Sequence, residues 1–150
     1  MADLTTSITE SVTINGSVRG STNTLTVTGI NNVFERVVTC DHSQSTKLAI
    51  FAAEPHTANG AVDVNNVRYI RITNLDANGA LMLSVQTTNT NFQQRLTPAT
   101  SYILARAEAV VIGEEDPDAA FGTLEDVTAL IIRPEGTTYN PDVELFIASV

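Results

Sequence analysis

The sequence predicts an all-β protein, an antiparallel β-sandwich of the jelly-roll type, on three observations. Asn-Gly occurs at Asn15-Gly16, Asn59-Gly60 and Asn78-Gly79, and this pair is the strongest short-range hairpin signal because tight turns need positive φ angles. The 21 threonines often alternate with apolar residues, as in Thr24 to Thr28, which suits the outer face of a sheet. No helical period extends over a useful length.

The length of the chain indicates a single domain. At 150 residues it has the size of one ordinary domain, which buries roughly 68–70% of its unfolded surface in a single core. We therefore expect one β-sandwich domain over residues 1–150. We also expect an extended N-terminal arm over about residues 1–10, because Ala2 to Thr6 show no strand periodicity of their own.

The N-terminal half is predicted to form short strands separated by polar turns. The first Asn-Gly pair joins a strand at Ser7 to Ile14 with a short one at Ser17 and Val18, and Gly20 to Asn23 then forms a polar loop. Pro55 interrupts the strand series because proline cannot donate to a ladder. The other strands expected in this half are Leu25 to Ile30, Val33 to Cys40, Lys47 to Ala53 and, at an edge, Ala61 to Val64.

The segment from Val67 to Val85 is the best-defined unit, and we predict it to be a hairpin central to the core. A four-residue turn from Asp76 to Gly79 places four apolar residues on one face of this hairpin. Gly79 is then the left-handed residue of a type I turn plus bulge. The predicted cross-strand pairs are Ile72 with Leu83 and Ile70 with Val85.

The C-terminal half continues the strand series around one acidic loop. This loop runs from Gly113 to Asp118, and Ala119 to Asp126 could hold one helical turn with Thr123 as its cap. The final strand has apolar residues on both sides, as expected for a segment covered by two layers or by a neighbouring subunit. The strands expected here are Phe92 to Leu96, Ser101 to Arg106, Ala109 to Ile112, Val127 to Arg133 and Val143 to Val150.

The charge balance argues against nucleic acid and membranes as partners. The formal net charge is -9, from 17 acids and 8 bases, and Lys47 is the only lysine. Phosphate groups and anionic lipids are bound mainly by clustered Lys and Arg, whereas the bases here are dispersed. The longest apolar run, Leu48 to Ala53, is too short to cross a bilayer. Met1 to Ser7 has neither a basic nor an apolar stretch, so we expect no signal peptide.

No catalytic, cofactor-binding or metal-binding residue is predicted, so we expect no enzymatic activity and no cofactor. His42 and His56 are the only histidines, and neither has the spacing typical of a metal site or a catalytic pair. Both are expected in loops. Cys40 is alone, so an intramolecular disulfide is impossible, and we expect it to be a small core residue.

Two features of the sequence are candidate binding sites. Carboxylates of the acidic loop could gather around calcium, but a solvated loop is favoured because the EF-hand spacing is missing. Sugar binding by stacking needs exposed aromatic rings, and only Tyr69 and Tyr139 are plausible platforms. For Tyr69 we favour packing between sheets or in a subunit contact, whereas Tyr139 stays open. The loop carboxylates are Glu114, Glu115, Asp116 and Asp118.

Three segments resemble small all-β virion proteins of tailed bacteriophages, in particular capsid cement or decoration proteins. They are Ser7 to Gly16, Val67 to Asp76 and Asp142 to Ser149. The resemblance implies a structural protein that binds the outside of the shell as a homo-oligomer, with a trimer favoured. It implies the major capsid protein as partner, synthesis in the host cytoplasm and a final location on the outer capsid surface.

The functional classes are therefore ranked with a structural virion protein first. A head-tail, tail or fibre accessory module, which could bind carbohydrate, is the alternative, and a small β-sandwich enzyme comes last. The acidic composition fits an outer position on the shell better than one facing DNA. We expect the terminal segments, Met1 to Glu10 and Pro141 to Val150, to help make intersubunit or shell contacts.

Overall fold

The computed structural model describes residues 1–57, 59–108, 111–112 and 123–150. Apart from one short 3-10 turn at Pro55–Thr57, the regular structure of these residues consists of strands. In chain order the strands are β1 Ala2–Thr9, β2 Val12–Ile14, β3 Ser17–Arg19, β4 Thr22–Ile30, β5 Asn32–Thr39, β6 Thr46–Ala52, β7 Ala61–Asp63, β8 Val67–Asn74, β9 Leu81–Gln86, β10 Asn91–Leu96, β11 Ser101–Leu104, β12 Val111–Ile112, β13 Leu124–Glu125, β14 Ala129–Pro134 and β15 Asp142–Ser149.

Two larger sheets pack face to face, which confirms the predicted all-β sandwich. One sheet has five strands in the order β10-β9-β14-β6-β7, and the other has four in the order β11-β8-β15-β5. Neighbouring strands are antiparallel except for the parallel pair β6 and β7. The jelly-roll connection pattern stays a prediction. The remaining strands form three two-stranded pairs, β1 with β4, β2 with β3, and β12 with β13.

The core lies between the two sheets and is made by the inward half of each strand's alternating residues. In β8 and β15, for example, the inward side chains of Ile70, Ile72, Leu145 and Ile147 are almost completely buried. Burying each such aliphatic side chain contributes about 1.5–3 kcal/mol to folding. The largest fully buried side chains are Leu48, Ile70, Ile72, Leu81, Leu83, Leu130, Ile132, Leu145, Ile147, Val67, Val85 and Val127.

The predicted hairpin between Val67 and Val85 is wrong, although its four apolar residues do lie in the core. Strand β8 pairs with β15 and β11, and β9 pairs with β10 and β14, so the two strands belong to different sheets. Ile72 is opposite Leu145 instead of Leu83. Strands β8 and β9 each have one strongly apolar face. These faces are buried when the two strands lie in opposite sheets, and they would be buried equally well if the strands were neighbours in one sheet.

The connection from β8 to β9 is held by side chains that bond to its backbone. Buried Asn74 donates from Nδ2 to the carbonyl oxygens of Gly79, at 2.8 Å, and Leu96, at 3.2 Å. Asp76 accepts from the N–H groups of Asn78 and Gly79, both at 2.6 Å. The bond from Gly79 and then that from Asn78 keep the pKa of the Asp76 carboxyl below its usual value. These hydrogen bonds hold the connection in the conformation that takes the chain from one sheet to the other. The apolar pattern of the sequence does not predict this connection.

The three Asn-Gly pairs have three different roles. Asn15 and Gly16 have φ angles of 51° and 77° and form a tight hairpin turn between β2 and β3, as predicted. Gly60 has a φ of 74°, but the strands it connects are parallel. Gly79 is outside the positive-φ region, so its predicted left-handed conformation is wrong. A Cβ atom there would lie 2.8 Å from the Cβ of Tyr139, so close packing requires the glycine.

The final strand β15 is covered on both faces, as its apolar pattern predicts. It lies between β8 and β5 in the middle of its sheet. Val143, Leu145 and Ile147 point into the sandwich and are buried. On the opposite face Phe146 contacts Tyr69 edge-on, with 6.1 Å between ring centroids. Tyr69 is only 4% exposed, which confirms packing as its role.

Part of the predicted helical turn from Ala119 to Asp126 is contradicted. Leu124–Glu125 forms the short strand β13, which pairs with Val111–Ile112. Residues 119–122 lie outside the described residues, as do the acidic loop at 113–118 and residues 109–110. The prediction that the acidic loop is a solvated surface segment therefore stays a prediction.

Replacing Ile72 by Asp should unfold the sandwich, because an unpaired carboxylate would be buried between the sheets. We expect a loss of more than about 4 kcal/mol in the free energy of unfolding. Ile103→Asp is the matched control, since Ile103 lies on the outer face of the same sheet and is 41% exposed. Thermal denaturation of both variants is the measurement, and an unchanged melting temperature for Ile72→Asp would contradict this placement.

Candidate interaction surface

The first thirty residues form one long β-hairpin, which we call the hairpin arm (residues 2–30). Strand β1 pairs with β4, and β2 pairs with β3. The register is the same in both parts: Thr9 is opposite Thr22, and Val12 is opposite Arg19. The Asn15-Gly16 turn is the tip. The predicted polar loop at Gly20 to Asn23 is therefore wrong, and so is the expectation that Ala2 to Thr6 form no strand.

A close contact between the two strands of the hairpin arm interrupts the ladder at Gly20. A Cβ atom at Gly20 would lie 2.0 Å from the carbonyl oxygen of Glu10, and its φ angle is 128°. The Glu10 N–H still donates to the Ser21 oxygen at 2.9 Å, and these are the residues that the uninterrupted register places opposite each other. Side-chain alternation therefore continues from the base of the hairpin arm to its tip.

The base of the hairpin arm packs on the outer face of the four-stranded sheet. Leu4 and Val27, which are cross-strand partners, contact a small cluster separate from the main core. Buried members of this cluster are Ile30, Tyr69 and Ala148, and Phe146 and Val150 are partly buried at its edge. The hairpin arm is thus anchored to the sandwich by a second, smaller apolar contact.

Beyond its base the hairpin arm is fully open to solvent. Every residue from Ser7 to Thr26 is exposed. At roughly 3.3 Å per residue, the exposed ladder from Ser7 to Ile14 is about 23 Å long. A two-stranded hairpin is only marginally stable in water unless something packs on it. This exposed length is therefore the strongest candidate for a surface that a partner covers.

The two faces of the hairpin arm differ in chemistry. One face, which we call the apolar face, carries Leu4, Ile8, Val12, Ile14, Leu25 and Val27, and polar residues that include Glu10 and Arg19 lie between them on the same face. Its apolar members beyond the base are exposed by about half, with Ile8 at 50%, Ile14 at 55% and Leu25 at 48%. Large exposed apolar side chains that are grouped on one face are typical of interaction sites.

The opposite face is mainly a ladder of hydroxyl groups, and Val18, which is opposite Thr13 and 70% exposed, lies on it near the tip. Ser7 Oγ and Thr24 Oγ1 are 3.1 Å apart, and Thr9 Oγ1 and Thr22 Oγ1 are also 3.1 Å apart. Thr5 and Thr26 form the next pair in the same register. These groups hydrogen-bond to each other across the strands, so this face is stable in contact with water.

The exposed part of the hairpin arm has no net charge. Between Ser7 and Thr26 there is one acid, Glu10, and one base, Arg19, so the rest of the chain carries the whole formal net charge of -9. By contrast, the uncovered part of the four-stranded sheet's outer face carries an ion pair. Arg71 Nη1 is 2.5 Å from Glu144 Oε2, and the guanidinium lies 6.0 Å from the ring centroid of Phe146.

His42 lies in the loop between β5 and β6, as expected, whereas His56 lies in the 3-10 turn Pro55–Thr57. The backbone N–H of His42 donates to Asn140 Oδ1 at 2.9 Å, and its ring Nδ1 lies 2.8 Å from the same oxygen. The same ring nitrogen is 3.8 Å from Asp41 Oδ1, which accepts from Ser43 Oγ at 2.7 Å. His56 is exposed, with Nε2 3.9 Å from Glu54 Oε2. Tyr139 is 45% exposed in its loop and packs beside Gly79.

A cleft of about 570 Å³ opens between the start of β5, strand β7 and the C-terminal residue. Asp63 is the one residue with a charged side chain among the described residues that line it. Both carboxylate oxygens of Asp63 are engaged locally: Oδ1 accepts from the Asn65 N–H at 3.0 Å, and Oδ2 accepts from Asn66 Nδ2 at 2.7 Å. The cleft therefore offers amide and carbonyl groups but no acid-base pair for catalysis.

Among the described residues, no three His, Cys, Asp or Glu side chains gather in a way that could hold a metal ion. The acidic-loop residues Glu114, Glu115, Asp116 and Asp118 are outside this set. In the same described residues no helix is long and apolar enough to span a membrane.

Comparison with protein-family models, with curated proteins and with solved structures finds no match for this chain.

Sequence reasoning located the tip of the hairpin arm but missed its length. The sequence does contain a signal for the full length. Counting equally outward from the Asn15-Gly16 turn along both strands puts Thr9 opposite Thr22 and Ser7 opposite Thr24, as in the structure. Reading Gly20 as part of a polar loop concealed this register. The apolar face of the hairpin arm was missed for the same reason.

Cys40 should be unreactive in the folded protein. Its side chain is fully buried, and burial followed by the nearby carboxylate of Asp142 raises the pKa of the thiol to about 11 from 9.0. A thiol-disulfide reagent at pH 8 should label it only after unfolding in urea. Since the raised pKa belongs to the folded state, ionisation should also lower stability between about pH 9 and 11. Rapid labelling of the native protein would contradict this placement.

Proposed function

We propose that this chain is a structural virion protein of a tailed bacteriophage, a capsid cement or decoration protein that binds the outer shell as a homo-oligomer. The observation that carries the proposal is the hairpin arm, about 33 Å long from Leu4 to Ile14 by strand geometry, with an uncovered apolar face beyond its base. Such a projection on a compact sandwich is suited to binding another protein surface.

The described residues support a binding role more than a catalytic one. The two histidines lie in separate surface contacts, and Cys40 is buried with a raised pKa. The exposed apolar side chains concentrate on the hairpin arm and on the outer face of the four-stranded sheet, where Val33 and Val37 are 50% and 58% exposed. We propose that the chain acts by covering protein surface and has no enzymatic activity.

The partner we propose is the major capsid protein on the outside of the shell, with the decoration protein assembled as a trimer. The formal net charge of -9 favours a surface that faces solvent over one that faces packaged DNA. Apart from the 3-10 turn Pro55–Thr57, the described residues of the sandwich form no helix.

Quantitative mass spectrometry of purified particles from the encoding genome tests this function. We expect a high copy number that matches the symmetry of the shell. Particles made without the chain should release DNA at a lower temperature, and adding back the purified protein should restore the original value. Protein lacking Met1 to Thr6 should attach more weakly, because it loses Leu4 and half of the strand that pairs with β4.

Circular dichroism and thermal denaturation of the truncated protein provide the control, since the main core contains no residue of the removed segment. Absence of the chain from particles would overturn the proposed function. Attachment of the truncated protein with unchanged affinity would show that the hairpin arm takes no part in it.

A further inference from the structure

We infer that the apolar face of the hairpin arm is a self-association surface, covered in solution by the same face of other copies of this chain. This inference rests on the homo-oligomer in the proposed function and names the surface that forms it. The juxtaposition behind it is a group of uncovered apolar side chains, Ile8, Val12, Ile14 and Leu25, on the same face of the hairpin arm as the covered contact of Leu4 and Val27.

The exposed part of the apolar face would be more stable if another protein surface packed on it. The Leu4 and Val27 pair at the base already packs on Tyr69 and Ala148, so the same row of side chains is buried at one end and bare at the other. A bare two-stranded ribbon is marginally stable. Covering the distal part continues an apolar contact that the fold has already begun.

The distribution of charge favours a second copy of this chain as the partner at the apolar face. Two copies that approach through their sandwiches bring together surfaces that share a formal charge of -9 each, and such like charges oppose association. The exposed part of the hairpin arm is neutral, since its only charges are Glu10 and Arg19. The hairpin arm is therefore the region where copies of this acidic chain can meet with the least repulsion.

The area of the exposed face indicates how strong the association is. The uncovered part of the ribbon, from Ser7 to Ile14, is about 23 Å long and roughly 10 Å wide, so it presents about 230 Å² on one face. Contact between this face of two or three copies would cover Ile8, Val12, Ile14 and Leu25. This area is smaller than the roughly 800 Å² per partner of a standard interface, so we expect weak, reversible association instead of a permanent assembly.

The chemistry of the two faces gives a matched pair of variants. Leu25 lies on the apolar face and Thr26 on the hydroxyl face, next to each other in β4, and both are exposed. Leu25→Asp places a carboxylate in the proposed contact, whereas Thr26→Asp places the same charge outside it. Neither change touches the main core, so both variants should fold.

Sedimentation equilibrium of the isolated full-length protein, over a range of concentrations, is the experiment. We expect the wild-type protein and Thr26→Asp to associate equally, to multiples of the 16.0 kDa chain mass, and Leu25→Asp to dissociate at least tenfold more readily. A wild-type protein that stays monomeric at several hundred micromolar would overturn the inference, as would equal effects of the two variants.

A cross-linking measurement covers the case in which Leu25→Asp fails to fold. Leu25→Cys, oxidised in air with a copper catalyst, should form disulfide-linked pairs of chains, while Thr26→Cys should not; Cys40 is buried and stays out of the reaction. Equal cross-linking of both variants would contradict the inference. Because no particle is present in either experiment, self-association can be lost while shell attachment persists, and the two proposals fail separately.

Discussion

The fold depends on strand β15 being apolar on both faces. Val143, Leu145 and Ile147 pack against the five-stranded sheet, and Phe146 and Ala148 pack beneath the outer layer. A strand with two apolar faces must lie in the middle of a sheet and be covered from both sides. The position of β15 between β8 and β5 satisfies this constraint, and the base of the hairpin arm supplies part of the outer cover.

The same constraint explains why β8 and β9 separate into different sheets. Strand β8 is needed beside β15, where Ile70 is opposite Ile147 and Ile72 is opposite Leu145. Strand β9 then completes the facing sheet, between β10 and β14. The buried amide of Asn74 stabilises the crossing, because its Nδ2 donates to the backbone carbonyl oxygens of Gly79, Leu96 and Thr97.

The hairpin arm combines a firm anchor with an uncovered extension. Its anchor is the aromatic and aliphatic cluster around Tyr69, which is isolated from the main core by the sheet itself. Its extension lacks any such support within the chain, since all residues from Ser7 to Thr26 are exposed. A structure of this kind gains stability when another protein surface covers the apolar face.

The sequence by itself determined the class of the fold, most strand positions and the two-sided burial of the last strand. These follow from alternation and turn chemistry, which are local properties of the chain. Only the tertiary structure decided which strands are neighbours, because the apolar faces of β8 and β9 fit equally well side by side or across a core. It also decided that Gly20 lies inside a hairpin, since close approach of Glu10, and no local turn, requires that glycine.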